Sequence, residues 1–109
     1  MDNDIRAEVS SGNVFEDLGL PDAGEKKAKV RLAIAINDAL AERGLKQRDA
    51  AVVLGCAQPE VSAIANLRLA GSSLGRLMEF LTALDRDVEI GIRKRYGPGS
   101  IVVRDLARA

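Results

Sequence analysis

The stretch from Gln47 to Asn66 constrains this chain more than any other part of it. It has room for two short helices with one glycine between them, so the helices must cross at a steep angle. That crossing restricts several positions. Ala51 falls where the helices approach most closely, and only a small side chain fits there. Gly55 opens the turn at positive φ, where a residue with a Cβ costs about 1–2 kcal/mol. Val61 and Ile64 are three residues apart and share the inward face of the later helix. Val52 and Leu54 are expected to complete the small core.

The flanks read as further helices. Asp22 suits an N-cap, and Glu25 follows at capping-box spacing, so a long helix is expected from about Ala23 to Arg43. Val30, Ala33, Ile34, Asn37 and Leu40 mark one face of it, with Leu32 and Ile36 beside that face. Gly44 is its C′ glycine. Lys46 to Leu54 reads as the second helix and Gln58 to Asn66 as the third. Arg68–Ser72 is a loop punctuated by Gly71. Ser73 then caps a fourth helix, whose stripe is Leu74, Leu77, Met78, Leu81 and Leu84. After Asp85 the period changes to two, with Val88, Ile90 and Ile92 alternating as in a half-buried strand. Tyr96–Ser100 is a turn, and Ile101-Val102-Val103 is the candidate returning strand of a hairpin.

Composition sharpens this picture. Aromatic residues make up only 3% of the chain, so its core must be aliphatic. The single cysteine, Cys56, excludes an intramolecular disulfide and fits a reducing cytoplasm. Cys56 itself reads as a turn residue packing as a small hydrophobe. No apolar run is long enough for a membrane span, and the acidic start lacks the order of a signal peptide. Histidine is absent, which removes the commonest general base and metal ligand. With no phosphate-binding or nucleophile-elbow motif either, the expectation is a non-enzyme without metal or cofactor.

The net charge of zero conceals a division. Residues 1–25 hold seven acids and one base, a balance of −6; residues 26–109 hold fifteen bases and nine acids, a balance of +6. A basic body is the usual electrostatic footprint of a nucleic-acid binder. Three regions follow. Residues 1–21 form an acidic arm with a short apolar patch at Val14, Phe15, Leu18 and Leu20. Residues 22–86 form the helical body. Residues 87–109 form the strand or hairpin, a candidate dimerisation element.

The pattern Gln47-x3-Ala51-x3-Gly55-x5-Val61-Ser62-x-Ile64 resembles the Cro and lambda-repressor type helix-turn-helix, also called the XRE family. More loosely, residues 13–93 resemble its HigA-like antitoxin subgroup, through Val14–Pro21, Leu74–Asp85 and Asp87–Ile90. The resemblance implies a mainly α fold. The expected architecture is a lambda-repressor-like bundle of about four to five helices with a short C-terminal β-strand or hairpin. It also implies that the third helix enters the major groove.

Carried over by position, Gln58, Pro59, Ser62 and Ala63 become the base-contact candidates. Gln58 would pair with adenine, and Pro59 and Ala63 would meet thymine methyls. Gln47 and Asn66 become phosphate contacts, with Lys46, Arg48 and Arg68 adding counterion release. Three positions depart from common family usage: Ala57 for Ser, Glu60 for Lys, and Leu67 for Gly or Arg. Glu60 in particular would put a negative charge against the groove.

The resemblance therefore implies a homodimeric autorepressor on a palindromic operator in double-stranded DNA. A basic ribonuclease toxin would be its partner, covered by the acidic arm through Val14, Phe15, Leu18 and Leu20. Two other readings stay open. One is a stand-alone repressor of the same type without a toxin. The other is a protein-interaction module that binds no DNA.

Overall fold

The computed structural model describes residues 23–106. Four helices make up the body: α1 (Ala23–Glu42), α2 (Gln47–Leu54), α3 (Gln58–Ala65) and α4 (Leu74–Ala83). The arm with its apolar residues Val14, Phe15, Leu18 and Leu20, and the Asp22 cap, lie outside the described residues. No helix among those described is long and apolar enough to cross a membrane.

Helix α1 is the spine. Rich in Ala, Lys and Leu, it has high helix propensity, and its first turn carries a Glu25–Lys29 pair at 3.7 Å. It packs chiefly along α4 and more lightly on α3, while α2 packs on α3. Its buried face is Ala28, Leu32, Ala33, Ile36, Ala39 and Leu40. This face is rotated from the one expected. At 100° per residue Ile34 falls on the side opposite that face, and it is 41% exposed. Leu32 and Ile36, read as neighbours of the face, form its centre.

All four helices end in the same way. The Leu45 N–H donates to the Leu40 carbonyl and the Gly44 N–H to the Ala41 carbonyl. The pair Cys56 to Ala51 and Gly55 to Val52 repeats this at α2. Arg68 to Ala63 with Leu67 to Ile64 repeats it at α3, and Arg86 to Leu81 with Asp85 to Thr82 at α4. Each is a Schellman closure, which satisfies orphan carbonyls at the cost of one left-handed residue. Glycine supplies it at Gly44 (φ 64°) and Gly55 (φ 71°), but Leu67 (φ 57°) and Asp85 (φ 62°) supply the others.

The core runs through all four helices and includes Leu54, Val61, Ile64, Leu77, Phe80, Leu81 and Leu84. Its one buried polar side chain among the described residues is Ser72. Exposed pairs Arg43–Asp85 and Arg86–Glu42, both at 2.7 Å, join the C-terminal ends of α1 and α4. Pairs of this kind contribute about 0–1 kcal/mol each.

The expected C-terminal strand or hairpin does not form: among the described residues there is no strand. The segment leaves α4 with Val88 against the core, bends at 96–98, and returns with Val103 against the core. Ile101 comes back beside Gly24 at the start of α1, with its Cβ 3.7 Å from where a Gly24 Cβ would sit. Between these anchors Ile90, Ile92, Tyr96, Ile101 and Val102 are all exposed. A two-stranded hairpin with no further strand or helix covering its face is marginal in water.

Candidate nucleic-acid interface

The crossing of α2 and α3 depends on its smallest residues. Ala51 is buried on α2, Gly55 takes the left-handed turn conformation, and Val61 and Ile64 are buried on α3. All four scaffold positions are placed as the spacing required. Val52 is not: it is 77% exposed. The buried residues of α2 are Ala50, Ala51 and Leu54, and the step from Ala50 to Val52 is just over half a turn of helix, which carries Val52 to the opposite side.

This core fixes α3 with its outer side free. Gln58 and Pro59 are exposed in its first turn, and Ser62 and Ala63 are half-buried one turn on. Pro59 suits that turn because its missing N–H would have had no intrahelical acceptor there. Asn37 of α1 reaches the far end of the helix, its Nδ2 donating to the Ile64 carbonyl at 3.2 Å. This bond ties α3 to the spine.

Neither helix has a side-chain cap at its start. Lys46 and Ala57 are the capping residues of α2 and α3, both extended and both without a side-chain bond to the helix. The first N–H groups of both helices are therefore left for solvent or an anionic ligand. Lys46, Gln47 and Arg48 are exposed beside the first of these ends, and Arg68 is exposed beyond α3. Asn66 is partly committed. Its Nδ2 donates to the Ser62 carbonyl at 2.9 Å, which leaves its Oδ1 and one remaining N–H for another partner.

Glu60 behaves differently from the expectation that it would oppose a groove. Its carboxylate takes both arms of the Arg76 guanidinium, at 2.5 Å from Nε and 2.8 Å from Nη2. Arg76 also lies over the Phe80 ring, 4.9 Å from its centroid. A bidentate fork of this kind holds the carboxylate in a fixed direction. The hydrogen bonds from Arg76 hold the Glu60 carboxyl below its ordinary range, against a smaller opposing effect of burial. The Glu60 charge is thus neutralised by a residue of α4. Sequence reading missed Arg76 because sixteen positions and an intervening loop separate the two, and no local pattern joins them.

Cys56 sits in the α2–α3 turn, half-buried against the core. Burial first, then the nearby Glu60 charge, pushes its thiol up. A thiol so placed is a weak nucleophile. Among the described residues no group of His, Cys, Asp and Glu could hold a metal ion.

The surface is therefore a rigid, outward-facing α3 with amide, hydroxyl and apolar side chains near its start. Two uncapped helix ends and three basic side chains surround it. A family model described as a helix-turn-helix domain matches residues 14–93. A solved structure named as an XRE family transcriptional regulator is similar at 46% sequence identity, with a TM-score of 0.74 over 79% of this chain and 100% of that one. No curated protein matches the chain.

Proposed function

The chain belongs to the XRE family of helix-turn-helix proteins, and we propose that it is a sequence-specific DNA-binding transcriptional regulator reading the major groove with α3. One observation carries this reading: α3 is locked inward by Val61 and Ile64 while Gln58 and Pro59 stand exposed at its start. Side chains at the start of such a helix reach base edges. Gln58 can pair bidentately with adenine, Ser62 can bond to a base edge, and Pro59 and Ala63 can contact thymine methyls. Gln47, Asn66, Lys46, Arg48 and Arg68 would hold the phosphates on either side, which sets the register without reading sequence. Regulation of this kind is cytoplasmic and needs no cofactor.

The reading extends to a homodimer on a palindromic operator, since two such helices must enter successive major grooves about 34 Å apart. It is tested by footprinting the DNA upstream of the chain's own gene. Protection that falls steeply with salt is the expected result. Gln58→Ala should weaken binding to the protected site about tenfold or more, the low end of a bidentate base contact, with little effect on unrelated DNA. Equal loss on both kinds of DNA would overturn the base-reading role.

The acidic arm favours a second role, that of antitoxin in a toxin–antitoxin pair. Its −6 balance over residues 1–25 suits a basic ribonuclease surface, with Val14, Phe15, Leu18 and Leu20 as apolar anchors. Removal of residues 1–20 should abolish neutralisation of a neighbouring basic toxin and spare DNA binding. Full neutralisation by the shortened protein would overturn the arm's role, and no neutralisation by the full-length chain would leave a stand-alone repressor.

A further inference from the structure

Helix α3 is tied to its neighbours at both ends. At the far end Asn37 of α1 donates to the Ile64 carbonyl. At the start Ala57 provides no side-chain cap, and the tie there is the fork between Glu60 and Arg76 of α4. Arg76 is itself held twice. Its backbone N–H donates to the Ser73 hydroxyl at 3.1 Å, and its guanidinium lies over the ring of Phe80, a buried core residue. Glu60 shares the first turn of α3 with Gln58 and Pro59, so the direction of its carboxylate and the direction of those side chains are linked through one turn of backbone. The fork uses the Nε and Nη2 donors of Arg76, which leaves the Nη1 end of the guanidinium unengaged, and the Arg76 side chain is 43% exposed.

We propose that the Glu60–Arg76 fork is a specificity device: it aims the first turn of α3 at the base edges and withholds the Arg76 charge from indiscriminate phosphate binding. This deepens the DNA-binding reading and rests on it. The aiming follows from geometry. A bidentate guanidinium–carboxylate pair fixes direction as well as distance, and a binding constellation must be held to within about 0.5 Å of its productive geometry. A short helix held inward by Val61 and Ile64 can still pivot about them, and a tie at each end stops that motion. The withholding follows from charge. An exposed arginine beside a DNA-facing helix binds any duplex, because phosphate contacts carry no sequence information. A lone carboxylate in the first turn of α3 would repel every duplex equally. Paired, the two charges cancel, so neither changes the affinity for unrelated DNA. Exposed pairs add little stability, so the effect of this one belongs to the ratio of specific to unrelated binding rather than to the melting temperature. Glu60 and Arg76 act here as positioning residues and touch no base.

Titrations of the full-length protein test it, against the duplex protected in footprinting and an unrelated duplex of the same length, each at several salt concentrations. Glu60→Gln frees the Arg76 charge. Its affinity for unrelated DNA should rise, and its log–log salt dependence should steepen by about 0.9, as for one more phosphate contact. Its ratio of specific to unrelated affinity should fall about tenfold or more, the worth of one misdirected bidentate base contact. The double variant Glu60→Gln with Arg76→Gln removes both charges. Unrelated affinity and salt dependence should then return to wild-type values while the ratio stays low, which separates aim from charge. Arg76→Lys keeps both charges and gives up the fork, so it should show the low ratio at wild-type salt dependence. Thermal melts of all three should lie close to that of the wild type. A double variant or an Arg76→Lys protein with the wild-type ratio would overturn the proposal, and so would a Glu60→Gln protein no tighter than wild type on unrelated DNA. A wild type that protects no DNA would overturn the DNA-binding reading together with this inference. Protection with unchanged ratios would overturn this inference alone.

Discussion

The helical body and the C-terminal extension are built from the same aliphatic residues, yet they treat them in opposite ways. Ile64 and Leu77 in the body are 1% and 0% exposed, whereas Ile90 and Ile92 in the extension are 74% and 95% exposed. Both regions have clear hydrophobic periodicity. The difference is whether a complementary face exists within the chain. The 3.6-residue stripes of α1, α3 and α4 find one another across the bundle. The two-residue stripe of 88–92 finds Val88's anchor and nothing beyond it. Periodicity reports which face wants burial, and topology decides who provides it.

The sharpest way to break this contrast is to remove one isoleucine from each region. Ile64→Ala should cost about 2–5 kcal/mol, through lost transfer energy and a cavity in a filled core. Ile92→Ala should leave the denaturant midpoint of the dilute protein unchanged. Its effect should surface only as weaker self-association at high concentration. Chemical denaturation at two concentrations reads both. Equal losses for both variants in dilute solution would mean that the extension is part of the monomer's cooperative unit.

Turns sharpen the same comparison at a smaller scale. Gly55 and Gly97 both have positive φ, at 71° and 94°, and neither would meet another atom within 4 Å if a Cβ were added. Backbone strain is thus the only direct penalty at either site. Gly55→Ala should cost about 1–2 kcal/mol, because the Schellman turn between α2 and α3 has no freedom to relax. Gly97→Ala meets the same strain in a bend that can rearrange without opening the core, so global stability should not move. Leu67→Gly carries the opposite sign: relief of the left-handed leucine should stabilise the body by about 1 kcal/mol. Thermal melts of the three variants give the ordering, and a destabilised Leu67→Gly would show that the exposed leucine makes a contact worth its strain.

What the sequence disclosed follows from how local each determinant is. Gly44, Gly55 and the Ser73 cap act within one turn of chain, and all three appear where reading placed them. Ser73 Oγ accepts the Arg76 N–H at 3.1 Å. The Ala51, Gly55, Val61 and Ile64 scaffold was legible because two short helices joined by one left-handed turn allow few residues. The phase of a helix was less so. In α1 polar and apolar residues mix around much of the circumference, so Ile34 was assigned inward and lies outward. In α2 eight residues give too little repetition to place Val52. The Glu60–Arg76 fork was illegible, because it depends on how α4 docks against α3. The hairpin failed for the reason already given, that alternation marks a strand's faces but not its neighbour.

Glu60 provides the last and smallest test, and one in which the body should differ from the extension. Arg76 holds its folded-state pKa below the ordinary value of 4.5. A carboxylate depressed in this way adds stability that is fully present above the unfolded pKa and is lost as pH falls through the folded one. The wild type should therefore lose stability on acidification below about pH 4.5. Glu60→Gln should be the less stable protein at pH 7 and should converge with the wild type in acid. Both carboxylate and guanidinium are partly in solvent, so the gap should be small and should shrink with salt. It should also be independent of protein concentration, since both partners belong to one chain, whereas any contribution from self-association must grow with concentration. Parallel curves for wild type and Glu60→Gln across this pH range would mean that the fork contributes geometry to α3 and no stability to the body.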